Sequence, residues 1–296
     1  MGCVAVVLVI RNMRLGRGDR RGAIRIALAI GACAFLPGLF SLSYSGGGWS
    51  FPRFQLILAF TLLSAAFAWA FYMALEPVVR RWWPSTLISW SRLLSGRVRD
   101  PLVGRDILVG VIFGLIYQLG NCVDRSMGSW LGIAPPRLML FRYPADDFLG
   151  FGRMIAFFAG QVVVWLLMFM GVLLALAVMR AILRKRWLAV AVVFPILFVW
   201  DIGALSEPVW LSVIMNLVVT AVIMFVLLRF GLLATIVGAA TYVLTGLYPL
   251  TTDFSLWYAN ATIYACAGVL VLAAYGFLVS MSRGRRGLAS TAPPVL

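Results

Sequence analysis

Eight long apolar runs constrain the fold of this chain more than any other feature of its sequence. A helix needs about 20 apolar residues to cross the hydrocarbon core of a bilayer. The runs are spaced along the chain, with turns or basic segments between them. They cover residues 24–43, 54–75, 106–122, 154–179, 187–205, 208–228, 232–249 and 257–281.

The overall composition excludes several classes of protein. Of the 296 residues, 63% are hydrophobic and 12% are charged. A soluble globular domain is nearer half apolar and a quarter charged, and a water-soluble core of this size cannot hide the surplus. We therefore exclude a soluble enzyme, a disordered chain and a fibrous protein.

The spans are predicted to be helices, because lipid offers no partner for backbone N–H and C=O groups. The alternating ten-residue pattern of a membrane barrel is absent from the sequence. The fold class is therefore all-α: a polytopic transmembrane helix bundle with about eight full spans plus a truncated N-terminal span. Residues 1–10 are the truncated apolar helix end, 24–75 form a transmembrane helix pair, 106–122 form a short span, and 154–281 form a five-helix transmembrane bundle.

Basic residues predict the orientation. The formal net charge is +15, and in membrane proteins Lys and Arg concentrate on the cytoplasmic side. Alternating sides from residues 11–25 puts 20 cations inside and 5 outside. The predicted cytoplasmic parts are the basic segment 11–25, the basic amphipathic segment 76–106 and the tail 282–296, and the predicted outer loop is 123–152. The excess of basic residues is therefore explained by membrane orientation. We expect the lipid bilayer as a partner and no nucleic acid.

The residues that most catalytic sites require are missing. The chain has no histidine, which excludes Ser/His/Asp and Cys/His catalysis, HExxH zinc sites and histidine proton relays. Its four cysteines form no CxxC pair, so a metal site or disulfide framework is not expected. We predict no catalytic, cofactor-binding or metal-binding residue, and an intramembrane enzyme is the weakest alternative.

Residues 76–106 carry the most informative pattern. Pro84 is suited to a first helical turn and Gly96 to a helix end, with an apolar face between them that includes Ile88 and Trp90. Ser89 falls on the other side of this predicted helix. We expect an amphipathic helix on the inner leaflet, with tryptophans at headgroup level. The alternative is a docking surface for a cytoplasmic domain of the same polypeptide.

Two Arg-Asp pairs lie six residues apart in the string RDPLVGRD, and we expect each pair to satisfy itself at the membrane surface. The candidate membrane-surface or docking residues are Arg80, Arg81, Trp82, Trp83, Trp90, Arg92, Arg97, Arg99, Asp100, Arg105 and Asp106.

Four polar residues lie within or beside the predicted spans: Gln161, Asp201, Glu207 and Asn216. Hydrogen bonding between helices and helix-end positions are the common uses of such residues. The alternative is a polar path through a small multi-span transporter or channel subunit.

Four strings carry a family resemblance: RNMRLGRGDRRGAIRIA, ALEPVVRRWWPSTLISWSRLLSGRVRDPLVGRDILVG, LLRFGLLA and PLTTDFSLWYA. They resemble the membrane-integral C-terminal region of certain bacterial serine/threonine protein kinases, and they extend over nearly the whole chain. In those relatives a cytoplasmic kinase domain precedes the membrane region. That domain is absent here, so none of its catalytic positions has a counterpart.

The resemblance implies a non-catalytic membrane anchor or sensor region, and a fragment of a longer signalling protein. It implies a cytoplasmic kinase domain, of the same or a related polypeptide, as partner. It also implies a multi-pass protein of the bacterial inner (cytoplasmic) membrane, and the charge distribution predicts a cytoplasmic C-terminus.

Overall fold

The chain folds into a bundle of α-helices. The computed structural model describes residues 9–14, 19–42, 51–133, 148, 150–201 and 208–282, and this part of the chain has no β-strand. The helices are α1 (Arg20–Leu42), α2 (Phe51–Trp82), α3 (Pro84–Leu94), α4 (Pro101–Trp130), α5 (Phe151–Leu183), α6 (Arg186–Asp201), α7 (Val209–Arg229), α8 (Leu232–Tyr242) and α9 (Ala259–Ser280). A π-helical turn, Val243–Leu247, continues α8.

Each of the eight apolar runs overlaps one helix of the bundle. The remaining helix named above, α3, is the amphipathic helix that lies between two runs. Five segments in the described part are long and apolar enough to cross a membrane: Phe54–Pro77, Pro101–Trp130, Phe151–Leu183, Val209–Arg229 and Ala259–Ser280. The apolar stretches Arg186–Val199 and Leu232–Leu247 are shorter than that. The all-helical membrane fold is therefore confirmed, whereas eight crossings stay a prediction.

Helix α4 is much longer than the short span predicted over 106–122, and it also takes in 123–130 of the predicted outer loop. It begins at Pro101 because Asp100 caps it: the Asp100 side chain accepts a hydrogen bond from Leu102 N, and proline suits the first helical position. The charged pair Arg105 and Asp106 therefore lies inside the helix. Residues 134–147 and 149 of the predicted outer loop lie outside the described residues.

Helix α8 lies at the centre of the bundle and is buried at all its positions from Leu232 to Thr241. It runs parallel to α4, and glycines let the two backbones approach closely. A Cβ on Gly110 would lie 2.6 Å from Ala234 O, and a Cβ on Gly114 would collide with Gly238 O. Side chains larger than hydrogen therefore do not fit at this crossing.

Helix α9 meets the start of α4 through a second pair of glycines. A Cβ on Gly104 would lie 2.8 Å from Gly276 O, and a Cβ on Gly276 would lie 3.1 Å from Gly104 O. The end of α9 thus lies against the start of α4, and the two helices are antiparallel. Helix α4 is held by close backbone contact with both α8 and α9.

Aromatic side chains close the end of the bundle where α5 and α9 begin. The ring of Phe148 lies 5.4 Å from that of Phe157 and 5.6 Å from that of Tyr248. The Tyr248 hydroxyl donates a 2.6 Å hydrogen bond to Met154 O. This end therefore combines aromatic packing with a hydrogen bond that joins Tyr248 to the first turn of α5.

Candidate functional site

Helix α3 packs against the rest of the bundle, and its predicted position on the inner leaflet stays a prediction. Trp90 is 7% exposed, and Thr86 and Ser89 are also buried, whereas Ile88 is 41% exposed. Ser89 therefore faces protein, although the sequence pattern placed it on the polar side. The Ser89 hydroxyl can be buried because it has a hydrogen-bond partner inside the bundle, Asp106. An amphipathic pattern alone does not reveal such a partner.

Trp83 begins this packed segment and contacts two cations. The guanidinium carbon of Arg180 lies 4.6 Å from the centre of the Trp83 ring, and that of Arg186 lies 5.9 Å away. The indole is buried, so it is not the headgroup anchor that we expected. Cation–π attraction strengthens when the ring is desolvated, and these contacts attach the start of α3 to α5 and α6.

A buried carboxylate links α3 to α4. Asp106 is 1% exposed, and its carboxylate accepts a hydrogen bond from the Ser89 hydroxyl. Arg105 Nε and Nη2 donate to Asp106 Oδ1 at 3.0 and 2.8 Å. The expected Arg105–Asp106 pair is thus present, but the carboxylate is inside the protein. These bonds offset the cost of burying its charge.

A second ion pair closes the turn between α3 and α4. Arg92 Nη1 donates to both oxygens of the Asp100 carboxylate, at 2.8 and 2.7 Å. Asp100 therefore pairs with Arg92 rather than with its neighbour Arg99. Burial acts to raise the pKa of Asp100, but the Leu102 N–H and the Arg92 guanidinium outweigh it, and the pKa lies below its usual value.

Two further hydrogen bonds fix the end of α3 and the loop that follows it. Arg25 Nη1 of α1 donates to Leu94 O at 3.0 Å, and the Tyr275 hydroxyl of α9 donates to Val98 O at 2.6 Å. The α3 segment thus contacts α1, α4, α5, α6 and α9 at one end of the bundle. Most cations of the described chain lie at the same end.

The other predicted docking residues fall into two groups. Arg97 and Arg99 are exposed in the loop after α3. Arg80, Arg81 and Trp82 belong to the last turn of α2, but their side chains lie outside the described residues.

The four predicted intramembrane polar residues are not brought together in the described chain. Asn216 Nδ2 donates to Ser212 O at 2.9 Å, a bond within α7. Gln161 is half-buried in α5, and no hydrogen bond among the described residues joins it to Asn216. The side chain of Asp201 and all of Glu207 lie outside the described residues.

A polar contact that the sequence pattern does not predict joins the N-terminal segment to α2. Glu76 is buried and accepts a hydrogen bond from Asp19 N, and Asn12 Nδ2 donates to Met73 O at 3.0 Å. Residues 9–14 are helical and lie against α2, so part of the predicted basic segment belongs to the bundle. The available signal was a single glutamate directly after an apolar run.

No protein-family model, curated protein or solved structure matches the chain.

Proposed function

We propose that this chain is the non-catalytic membrane anchor and sensor region of a kinase-type signalling protein. The observation that carries the proposal is the fixed position of α3. A helix that only floats on a leaflet needs no specific bonds, whereas α3 and its loop are held by the Asp106, Asp100, Leu94 and Val98 contacts. A helix held in this way presents a constant surface on which a cytoplasmic domain can dock.

The docking surface consists of the exposed residues Ile88, Arg97, Val98 and Arg99. Its mixture of cations and apolar side chains suits a partner with an acidic, partly apolar face. In the proposed topology this end faces the cytoplasm, the chain crosses the bacterial inner membrane about eight times, and the C-terminus is cytoplasmic. The 20-to-5 division of cations supports that orientation.

The test is kinase activity recovered with the chain. An antibody against the tail SRGRRGLASTAPPVL is used to precipitate the protein from detergent-solubilised native membranes, and phosphate transfer from labelled ATP to a serine/threonine substrate is measured. We expect activity in the precipitate. A blot of the same membranes shows whether the kinase lies on a polypeptide larger than 32.5 kDa or on a separate partner.

Charge reversal tests the docking surface itself. If the kinase is a separate protein, the double variant Arg97→Glu/Arg99→Glu should reduce the amount of kinase in the precipitate at least tenfold. If the kinase domain belongs to the same polypeptide, the double variant should change its activity. Arg125→Glu, on α4 beyond the docking surface, is the matched control and should behave as wild type. A precipitate without kinase activity, or one unaffected by the double variant, would contradict the proposal.

The second candidate function is a small transporter or channel subunit. The observation that favours it is a buried ionisable residue, Asp106, in a helix long enough to span. The hydrogen bonds from Ser89 and Arg105 to Asp106 are also the bonds expected of a carboxylate with a purely structural role. In reconstituted vesicles, Asp106→Asn should abolish solute flux if the transporter function is correct, and flux should be absent from wild type if it is not.

A further inference from the structure

The turn between α5 and α6 exposes three consecutive cations, Arg184, Lys185 and Arg186. An apolar side chain lies on either side of them in the sequence. Ile182 and Trp187 are each 65% exposed. Cations flanked by exposed apolar and aromatic side chains are typical of the boundary between hydrocarbon and headgroups.

Two of the cations in this turn have no acidic partner among the described residues. No carboxylate of the described residues forms an ion pair with Arg184 or Lys185, whereas Asp100 and Asp106, at the same end, are paired with arginines. The turn therefore has positive charge that is free to interact with an anion from outside the protein. Arg186 differs, because its guanidinium also lies over Trp83.

Arg184 occupies a backbone conformation that arginine rarely adopts. Its φ is 58°, at the C-cap of α5, where glycine is the usual residue with positive φ. A non-glycine residue held in this region is under local strain. The turn thus keeps a cation at a position where glycine would suit the backbone better.

We propose that this turn binds the phosphate of an anionic phospholipid headgroup in the adjacent leaflet. Arg184 and Lys185 contact the phosphate, while Ile182 and Trp187 enter the hydrocarbon beside it. The flanking apolar side chains favour a phosphate that carries acyl chains over a free one. The site does not depend on the proposed signalling function, since it requires only that this end lies at the membrane surface.

The test is the dependence of thermal stability on lipid headgroup. The purified full chain in detergent micelles is titrated with phosphatidylglycerol, with phosphatidylcholine of the same acyl chains, and with inorganic phosphate. We expect phosphatidylglycerol alone to raise the unfolding midpoint. In Arg184→Gln/Lys185→Gln, tenfold more phosphatidylglycerol should be needed for the same rise, while Arg125→Gln should retain the wild-type response.

One variant separates lipid binding from stability. Arg184→Gly removes the charge and relieves the backbone, so its midpoint without lipid should equal or exceed that of wild type while its response to phosphatidylglycerol weakens. Equal responses to the two phospholipids in the wild type, or an unchanged response in the double variant, would overturn the proposal. A response to inorganic phosphate equal to that to phosphatidylglycerol would also overturn it.

Discussion

At the scale of single residues, Asp106 shows how a charge can lie inside a helix of the bundle. In the sequence, Arg105 and Asp106 lie at the start of the short span predicted over 106–122. The structure supplies the Asp106 carboxylate with donors from Ser89 and Arg105. Pairing between neighbours in sequence was predictable. The Ser89 contact was not, because it depends on how α3 packs.

Removing either partner of the Ser89–Asp106 bond should destabilise the fold. We expect Asp106→Ala to lower the free energy of unfolding by about 1–3 kcal/mol, because it leaves a buried hydroxyl without its acceptor. Ser89→Ala should cost about 1.5–3 kcal/mol, because it removes a hydrogen bond to a buried carboxylate. Unfolding of the purified protein by denaturant measures both, and the double variant should cost less than the sum. Strict additivity would show that the two residues do not interact.

The Asp100–Arg92 pair predicts a dependence of stability on pH. The pKa of Asp100 is lowered in the folded protein. The ion pair therefore contributes its full stability at any pH above the usual pKa of an aspartate, about 3.9, and this contribution is lost as the pH falls below that value. We expect the difference in thermal midpoint between wild type and Arg92→Gln to be present at pH 6 and to shrink below pH 4. The control Arg125→Gln should show no such trend, because Arg125 does not contribute to the lowered pKa of Asp100. A difference independent of pH would contradict the assignment.

At the scale of elements, hydrophobicity predicted where helices form better than where they begin and end. Each of the eight apolar runs contains a helix in its described part, because lipid or protein surrounds it and its backbone groups must bond internally. The starts of α3 and α4 follow from proline and from the Asp100 cap, which were also visible in the sequence. The central burial of α8 was not predictable, because apolar residues suit lipid and protein equally.

The close crossing of α4 and α8 had a signal that the sequence analysis missed. The string GVIFG at 110–114 is a GxxxG pattern, which allows two membrane helices to approach closely. Its significance depends on a partner with an accessible backbone, here Gly238 and Ala234. The partner lies over a hundred residues away along the chain, so the pattern alone could not identify it.

Two glycine substitutions on α4 should have opposite effects. A Cβ on Gly114 would collide with Gly238 O, whereas a Cβ on Gly120 would lie 3.6 Å from Val219 Cγ2, an ordinary contact. Gly114→Ala should therefore destabilise the protein by about 1–3 kcal/mol. Gly120→Ala should stabilise it by about 0.5–1 kcal/mol, because alanine restricts the unfolded chain. Thermal unfolding followed by circular dichroism tests both, and equal effects would contradict the packing.

At the scale of the whole molecule, charge and packing divide the bundle into two unlike ends. One end carries α3, its ion pairs and the cationic α5–α6 turn, and the other is closed by aromatic rings. The sequence predicted this division from the alternation of basic segments. It did not predict that α3 would pack at the basic end, because hydrogen-bond partners such as the Tyr275 hydroxyl and the Val98 carbonyl lie far apart in the chain.

The orientation of the basic end is the central claim of this account, and cysteine labelling tests it most directly. In a variant whose four native cysteines are replaced by alanine, a single cysteine is introduced as Ser95→Cys or Ser255→Cys, both at exposed positions near opposite ends. Spheroplasts are treated with a membrane-impermeant maleimide before or after permeabilisation. The account predicts that Ser255→Cys is labelled in intact spheroplasts and Ser95→Cys only after permeabilisation. Labelling of Ser95→Cys in intact spheroplasts would contradict it.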